Sequence, residues 1–190
     1  MLTSEETMDI LMDTGALLSG HFLLSSGLHS DRYIQCAVVL QYPDIAEKLC
    51  ASLAAKVEKY APDIVVGPAL GGIIAAHETA RALKVPAIFL ERKNGEMQLR
   101  RGFEIKPGQR VLVVEDVVTT GGSSKEVIKK IEEYGGVVVA VGSLIDRSNG
   151  NANFDDPFES LISLEVTSYN PEDCPLCKMG ESPVKPGSRG

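Results

Sequence analysis

The chain has 190 residues, 44% hydrophobic and 24% charged, which is one domain's length with an ordinary globular composition and argues against a disordered chain. Its net charge of −7, from 19 basic and 26 acidic residues, argues against a nucleic-acid scaffold, because duplex binding needs a basic surface. No apolar run approaches the roughly 20 residues of a membrane helix. The acidic start MLTSEETMD has no basic secretory segment, and four cysteines are too few for a disulfide scaffold, so a cytoplasmic protein is expected.

In chain order, helices are expected over Thr3–Ser19 and Pro43–Tyr60, with an irregular stretch GHFLLSSGLHSDRYIQC between them. Ile64–Gly67 is short, β-branched and bounded by Pro62 and Pro68, hence a strand. Gly72–Leu83 has helical spacing and ends before Pro86; Ala87–Glu91 is the next strand. A turn at Pro107–Gln109 introduces the strand Arg110–Asp116. The helix Ser123–Tyr134 is closed by Gly135 and Gly136, and the strand Val137–Asp146 follows. A polar connection leads to a short strand, Leu161–Val166, and a tail with four prolines from Pro171 is expected to be loosely ordered. Strand–helix alternation with continuously apolar strands implies an α/β fold, a parallel sheet flanked by helices. One domain spans 1–190, its core about 41–149, with a small hood built from the segments 1–40 and 150–190.

Val111–Val127 is the most informative segment. A buried strand ends in two carboxylates, Glu115 and Asp116, and the chain turns through Thr119, Thr120, Gly121, Gly122, Ser123 and Ser124 into a helix. Glycines let backbone approach a ligand, and a helix N-terminus offers unpaired N–H groups and partial positive charge to a phosphate. The carboxylates accept hydrogen bonds from vicinal hydroxyls or orient hydrated Mg²⁺. Together these features suggest a ribose 5-phosphate unit. Neither a Walker A loop nor a Rossmann fingerprint fits, since the Lys-Ser/Thr ending and the glycine spacing are absent.

GPALGG, Gly67–Gly72, presents glycine N–H groups at another helix start, a second anion site. Between residues 92 and 101, Arg92, Lys93, Arg100 and Arg101 face Glu96 alone, a local charge of 4 − 1 = +3. Such a loop, with Gly95 and Gly102 as hinges, can close over an anion and neutralise a leaving pyrophosphate. Arg147, within Asp146–Ser148 at a strand's C-terminal end, can hold a carboxylate bidentately. His21, His29 and His77 are read as surface or packed histidines. Cys174 and Cys177 have metal-ligand spacing but no second pair to complete four ligands, so a structural turn is expected, with a zinc site shared between chains or a disulfide as alternatives.

The EDVVTTGGSS turn closely resembles the PRPP-binding motif of the type I phosphoribosyltransferases. GHFLLSSGLHS, GPALGG, Asp146-Arg147-Ser148 and the tail YNPEDCPLCKMG resemble the orotate-using members, so the likeness covers nearly the whole chain. The resemblance implies transfer of ribose 5-phosphate from PRPP to orotate, with Mg²⁺ carried by PRPP and no metal ligand from the protein itself. It places Glu115, Asp116, Val117, Val118 and Thr119 against PRPP, with Thr120, Gly121, Gly122 and Ser123 at the 5′-phosphate turn. Gly71 and Gly72 would cradle the pyrophosphate together with Arg92 and Lys93. Asp116, Glu115, Arg100 and Arg101 form the catalytic set; Thr119, Arg147, Tyr33 and Ile34 hold orotate. The basic loop would reach a neighbouring subunit, implying a homodimer. Many members carry lysine where this chain has Ser25 and Gly71, so two cationic contacts are missing. A purine phosphoribosyltransferase and a non-catalytic PRPP- or nucleotide-sensing regulator are the alternative readings; the first would have no use for Arg147, since a purine has no carboxylate.

Overall fold

The computed structural model describes residues 1–24 and 26–186; the reading of Ser25 lies outside them. Helix α1 runs over Ser4–Asp13, begun by a Thr3–Glu6 capping box. It stops well short of Ser19. Gly15 turns the chain with φ 73, and Leu17–Leu23 becomes strand β1, pairing antiparallel with β2, His29–Ile34. The expected long helix and irregular stretch are thus a short helix and a hairpin. Helical spacing through Leu11 misled because a strand follows directly, and Leu17 and Phe22 are buried as strand residues.

A short helix α2, Cys36–Leu40, leads into α3, Pro43–Val57, with proline at its first turn and a 3₁₀ turn at Glu58–Tyr60 behind it. The core then alternates: β3 Ile64–Pro68, α4 Gly72–Leu83, β4 Ala87–Lys93, β5 Glu96–Leu99, β6 Arg110–Val118, α5 Gly122–Glu133, β7 Val137–Asp146 and β8 Phe158–Ser163. β8 begins three residues before the expected Leu161, where Phe158 packs its ring on Phe154.

The main sheet has the order β5-β4-β3-β6-β7-β8 and is parallel except for β5, which folds back on β4. Alternate strand residues enter opposite cores, as a pleated strand requires. Val65, Leu112 and Val114 join one cluster with Leu11 of α1, Leu49 and Leu53 of α3 and Ala76 of α4. Ile64, Val66, Val111 and Val113 join another with Val127 and Ile131 of α5. Helices therefore cover both faces, as expected of β-branched strands buried on two sides.

β9, Ser168–Tyr169, pairs with β2, so the hood is an antiparallel sheet β1-β2-β9. A one-turn helix α6, Pro175–Lys178, follows. Among the described residues, the tail is held as far as Val184. Leu23 N–H donates to Val184 O and Val184 N–H to His21 O, each at 2.8 Å, so the chain near its end bonds alongside β1. Its prolines leave the Val184 N–H, which makes the second of these bonds, untouched.

Candidate active site

From β3 the chain winds towards β4, and from β6 towards β7, in opposite directions across the sheet. The β3–β6 boundary is thus the topological switch point, where loops at the strands' C-terminal ends diverge and leave a crevice. Both helices that start there follow an N-cap glycine, which has no capping side chain: Gly71 before α4 and Gly121 before α5, where Thr120 Oγ1 accepts from Gly122 N–H at 3.3 Å. By contrast, α1 at the molecular edge closes its own start with Thr3. Open N-termini on adjacent strands leave two sets of amides for anions.

Around α5, Val117 through Ser124 line a cup of about 60 Å³. Thr119, Thr120, Gly122 and Ser123 are exposed, while Val118, Gly121 and Ser124 are buried and hold the turn. Gly121 adopts φ 74, and a Cβ there would lie 2.9 Å from the Phe154 ring, so both conformation and space demand glycine. A larger cavity of about 610 Å³ lies elsewhere, among Ser4, Met8, Lys56 and Ser160, away from the turn.

The α4 start approaches the carboxylate pair directly. A Cβ on Gly71 would stand 2.7 Å from Asp116 Oδ1, and one on Gly72 would stand 3.2 Å from Glu115 Oε1 and 2.8 Å from Pro68 Cδ. The close approach of backbone to carboxylate explains how this chain uses the position where relatives are expected to carry lysine. Asp116 occupies the space a side chain at Gly71 would enter. The peptide Ala69–Leu70, just before Gly71, is cis, and Leu70 is 85% exposed.

Glu115 and Asp116 alternate sides of the strand and differ in environment. Glu115 is buried, whereas Asp116 is half-exposed to the crevice. Burial, reinforced by the Asp116 carboxyl beside it, pushes the Glu115 carboxyl up to about 9. At neutral pH the ligand-free protein therefore keeps Glu115 protonated, able to donate as well as accept.

Arg147 stands at the end of β7, where its N–H donates to Val118 O at 2.7 Å, tying it to the phosphate turn's first strand. Asp146 is occupied as a brace, accepting from Ser148 N–H at 2.8 Å and Ser163 Oγ at 3.3 Å. The Arg147 Nε is buried and has no hydrogen-bond partner among the described residues. Burial pulls its pKa down, with the Tyr33 and Cys36 side chains close enough to act on it. Tyr33 is half-buried and packs on Phe22 with ring centroids 5.8 Å apart, and Ile34 is buried beside it in β2. The fold thus brings Tyr33 within electrostatic range of Arg147, residues far apart in sequence.

The basic segment is a β-hairpin. Asn94 and Gly95 turn it with φ 54 and 86, the positive pair of a tight two-residue turn. Its arginines are engaged in ion pairs: Arg100 and Arg101 each reach Glu91 at 3.0 Å, and Arg92 reaches Glu126 of α5 at 2.7 Å. The local count of +3 began one residue after Glu91, the very group that neutralises two of these arginines. Lys93 is exposed at the strand's tip.

His21 and His29, read from sequence as unremarkable, meet Cys174 and Cys177 within the hood. The expectation that no residue pair completes four ligands is corrected: the second pair is histidine. The cysteine spacing was visible, but the partners lie on a hairpin more than 140 residues away.

A family model described as the phosphoribosyl transferase domain matches residues 39–176. The chain belongs to that family. It is similar to the orotate phosphoribosyltransferase of Pelotomaculum thermopropionicum, 56% identical over 99% of both chains. It is likewise similar to that of Thermotoga maritima, 57% identical over 96% of this chain and 97% of the other. Among solved structures, the orotate phosphoribosyltransferase from Aeropyrum pernix superposes with a TM-score of 0.69 at 28% identity, covering 82% of this chain and 92% of that one. The α/β architecture read from the sequence is thus the family's own.

Proposed function

We propose that the protein is an orotate phosphoribosyltransferase, converting orotate and PRPP into orotidine 5′-monophosphate and pyrophosphate in pyrimidine nucleotide synthesis. The observation carrying the choice of base is Arg147: a half-buried guanidinium with an unpartnered Nε beside the phosphate turn. A desolvated cation with no ion-pair partner among the described residues suits a ligand carboxylate, which orotate has and a purine lacks. The relatives at 56% and 57% identity bear the same reading.

In this reading, the Thr119–Ser123 turn and the α5 amides hold the 5′-phosphate, with Val117 and Val118 as its backbone wall. Gly71 and Gly72 offer α4 amides to the pyrophosphate. Asp116 accepts from a ribose hydroxyl and faces the positive charge that develops at the anomeric carbon as pyrophosphate departs. Protonated Glu115 beside it supplies a neutral partner for the second hydroxyl, or ionises when a cation enters. Tyr33, Ile34 and Thr119 form the wall for the base. Displacement at that carbon asks the protein for charge placement rather than covalent chemistry.

The crevice's donors, two carboxyls and the threonine hydroxyls, are hard oxygen ligands, which fits Mg²⁺ arriving with PRPP. When bound, the ion would offset the charge of the pyrophosphate. Arg100, Arg101, Arg92 and Lys93 would share that work by exchanging Glu91 and Glu126 for the leaving group. Exposed Leu70 and Ile74 beside Gly71 leave an apolar edge at the site, in keeping with a homodimer whose partner covers it. No described helix is long and apolar enough to cross a membrane; a cytoplasmic location is part of this proposal.

Pyrophosphate release from PRPP, measured with orotate, uracil, adenine and hypoxanthine in parallel and with and without Mg²⁺, tests the reading. Turnover with orotate alone, dependent on Mg²⁺, is expected. Turnover with a purine instead would make Arg147's role wrong; binding of PRPP without turnover of any base would indicate a regulator.

A further inference from the structure

The hood contains a cluster that the transfer reaction does not use. His21 on β1 and His29 on β2 face each other across the hairpin, eight positions apart, and Cys174 and Cys177 approach them from the start and end of the one-turn helix α6. The four ligand atoms lie within 4.8 Å of one another, and His21, His29 and Cys174 are buried. We propose that His21, His29, Cys174 and Cys177 form a structural zinc site that clasps the C-terminal tail to the hood.

The separations are those of ligands around one small ion. His21 Nε2 is 2.9 Å from His29 Nδ1 and 3.4 Å from Cys174 Sγ; Cys177 Sγ is 3.3 Å from His29 Nδ1 and 3.8 Å from His21 Nε2. Tetrahedral zinc, at about 2.0–2.1 Å from nitrogen and about 2.3 Å from sulfur, sets its ligands roughly 3.3–3.8 Å apart. The nitrogen pair needs to open by a few tenths of an ångström, and a pair at the 4.8 Å limit to close by about one.

The chemistry agrees with the geometry. His21 Nδ1 lies 3.0 Å from Glu181 O, so it carries the proton and donates, leaving the Nε2 lone pair turned into the cluster. Two thiolates and two neutral imidazoles balance Zn²⁺, which removes the cost of a net charge in a buried place. Mixed sulfur and nitrogen in a closed set favours zinc over Mg²⁺ or Ca²⁺, which take oxygen. No fifth ligand position is required, so the role is structural.

The clasp acts on separated pieces of chain. It ties residues 21 and 29 to residues 174 and 177, and the backbone pairs Leu23–Val184 and Ser30–Ser168 flank it. A metal here adds its binding free energy to the stability of a small three-stranded sheet, whose third strand is two residues long. The same sheet carries Tyr33.

The test begins with metal analysis of the full chain purified under reducing conditions from zinc-supplemented cells. About one zinc per chain is expected, falling below about a tenth in Cys177→Ser and Cys174→Ser. Replacing zinc by Co²⁺ should give the intense visible bands of a tetrahedral ion with thiolate-to-metal absorption in the near ultraviolet. Should the variants fail to fold, the wild type still decides. Stripping with a strong chelator should lower Tm and speed alkylation of Cys174 and Cys177 at least about tenfold, with Zn²⁺ reversing both. Absence of stoichiometric metal, an octahedral cobalt spectrum, or alkylation indifferent to chelator overturns the proposal. So does a Cys174–Cys177 disulfide in freshly purified protein.

Discussion

Glu115 and Asp116 are neighbours with opposite surroundings, and each yields a measurement. Asp116 faces the crevice, so Asp116→Asn should cut turnover on the order of 10²-fold, the scale of one lost electrostatic contact, while Tm moves little. Near-normal turnover would remove its role. Glu115 is raised to about 9 by burial, from an ordinary value near 4.5. Between those values the unfolded chain binds fewer protons than the native one, so this group's contribution is full below pH 4.5 and is lost as pH rises towards about 9. Glu115→Gln, which resembles the protonated acid, should therefore flatten the decline of Tm between acid and alkaline buffers. An unchanged decline would show Glu115 ionising freely in the native protein. For Arg147→Ala, the KM for orotate should rise more than that for PRPP, since a charged hydrogen bond is worth about 1.5–3 kcal/mol. Equal changes in both would reject a base-specific contact.

At the scale of elements, the β4–β5 hairpin shows how charge is stored. Arg100 and Arg101 share Glu91, whose carboxyl they hold below the usual carboxylate range. These are solvent-exposed pairs, worth little to stability, and are therefore cheap to exchange for a pyrophosphate. The double variant Arg100→Ala/Arg101→Ala should lower turnover while leaving affinity for orotidine 5′-monophosphate, which has no pyrophosphate, almost unchanged. Tm should move by no more than a surface pair's worth. Unaltered turnover would mean that the arginines serve only Glu91. With no lysine at Gly71, and Asp116 filling that space, the hairpin has more of the neutralisation to do.

For the whole molecule, the single-domain reading rests on one continuous cluster that joins hood and core. Ala16, Leu17 and Ile34 of the hood region pack with Leu49, Val65 and Leu144 of the core. Thermal unfolding should accordingly give one transition by circular dichroism and by calorimetry, with matching enthalpies. Two resolved transitions would make the hood a separate unit. If the hairpin acts across a dimer, mixing the double arginine variant with Asp116→Asn subunits should restore part of the activity, because a hybrid assembles one intact site. No rescue in verified heterodimers would confine the hairpin to its own subunit.

Periodicity and local chemistry determined much by themselves. Strands β3, β6 and β7 were legible because burial on both faces demands unbroken apolar, β-branched runs, β4 because a short apolar run follows Pro86, and α5 because Gly121 and Gly135 punctuate it. The phosphate turn was legible because its parts are contiguous: strand end, carboxylates, glycines, hydroxyls and helix start occupy one run of chain. What lay beyond one run was decided by the tertiary structure. Leu17–Leu23 is a strand because His29–Ile34 pairs with it, and no local signal at residue 17 carries that partner. Glu91 neutralises Arg100 and Arg101 because β5 folds back on β4. Tyr33 comes within electrostatic range of Arg147 because β2 is packed on the core, and His21 and His29 reach Cys174 and Cys177 only when the tail pairs with the hood. Sequence records which groups are present and how they are spaced along the chain; proximity between distant groups is set by which apolar faces bury one another, and that is a property of the folded whole.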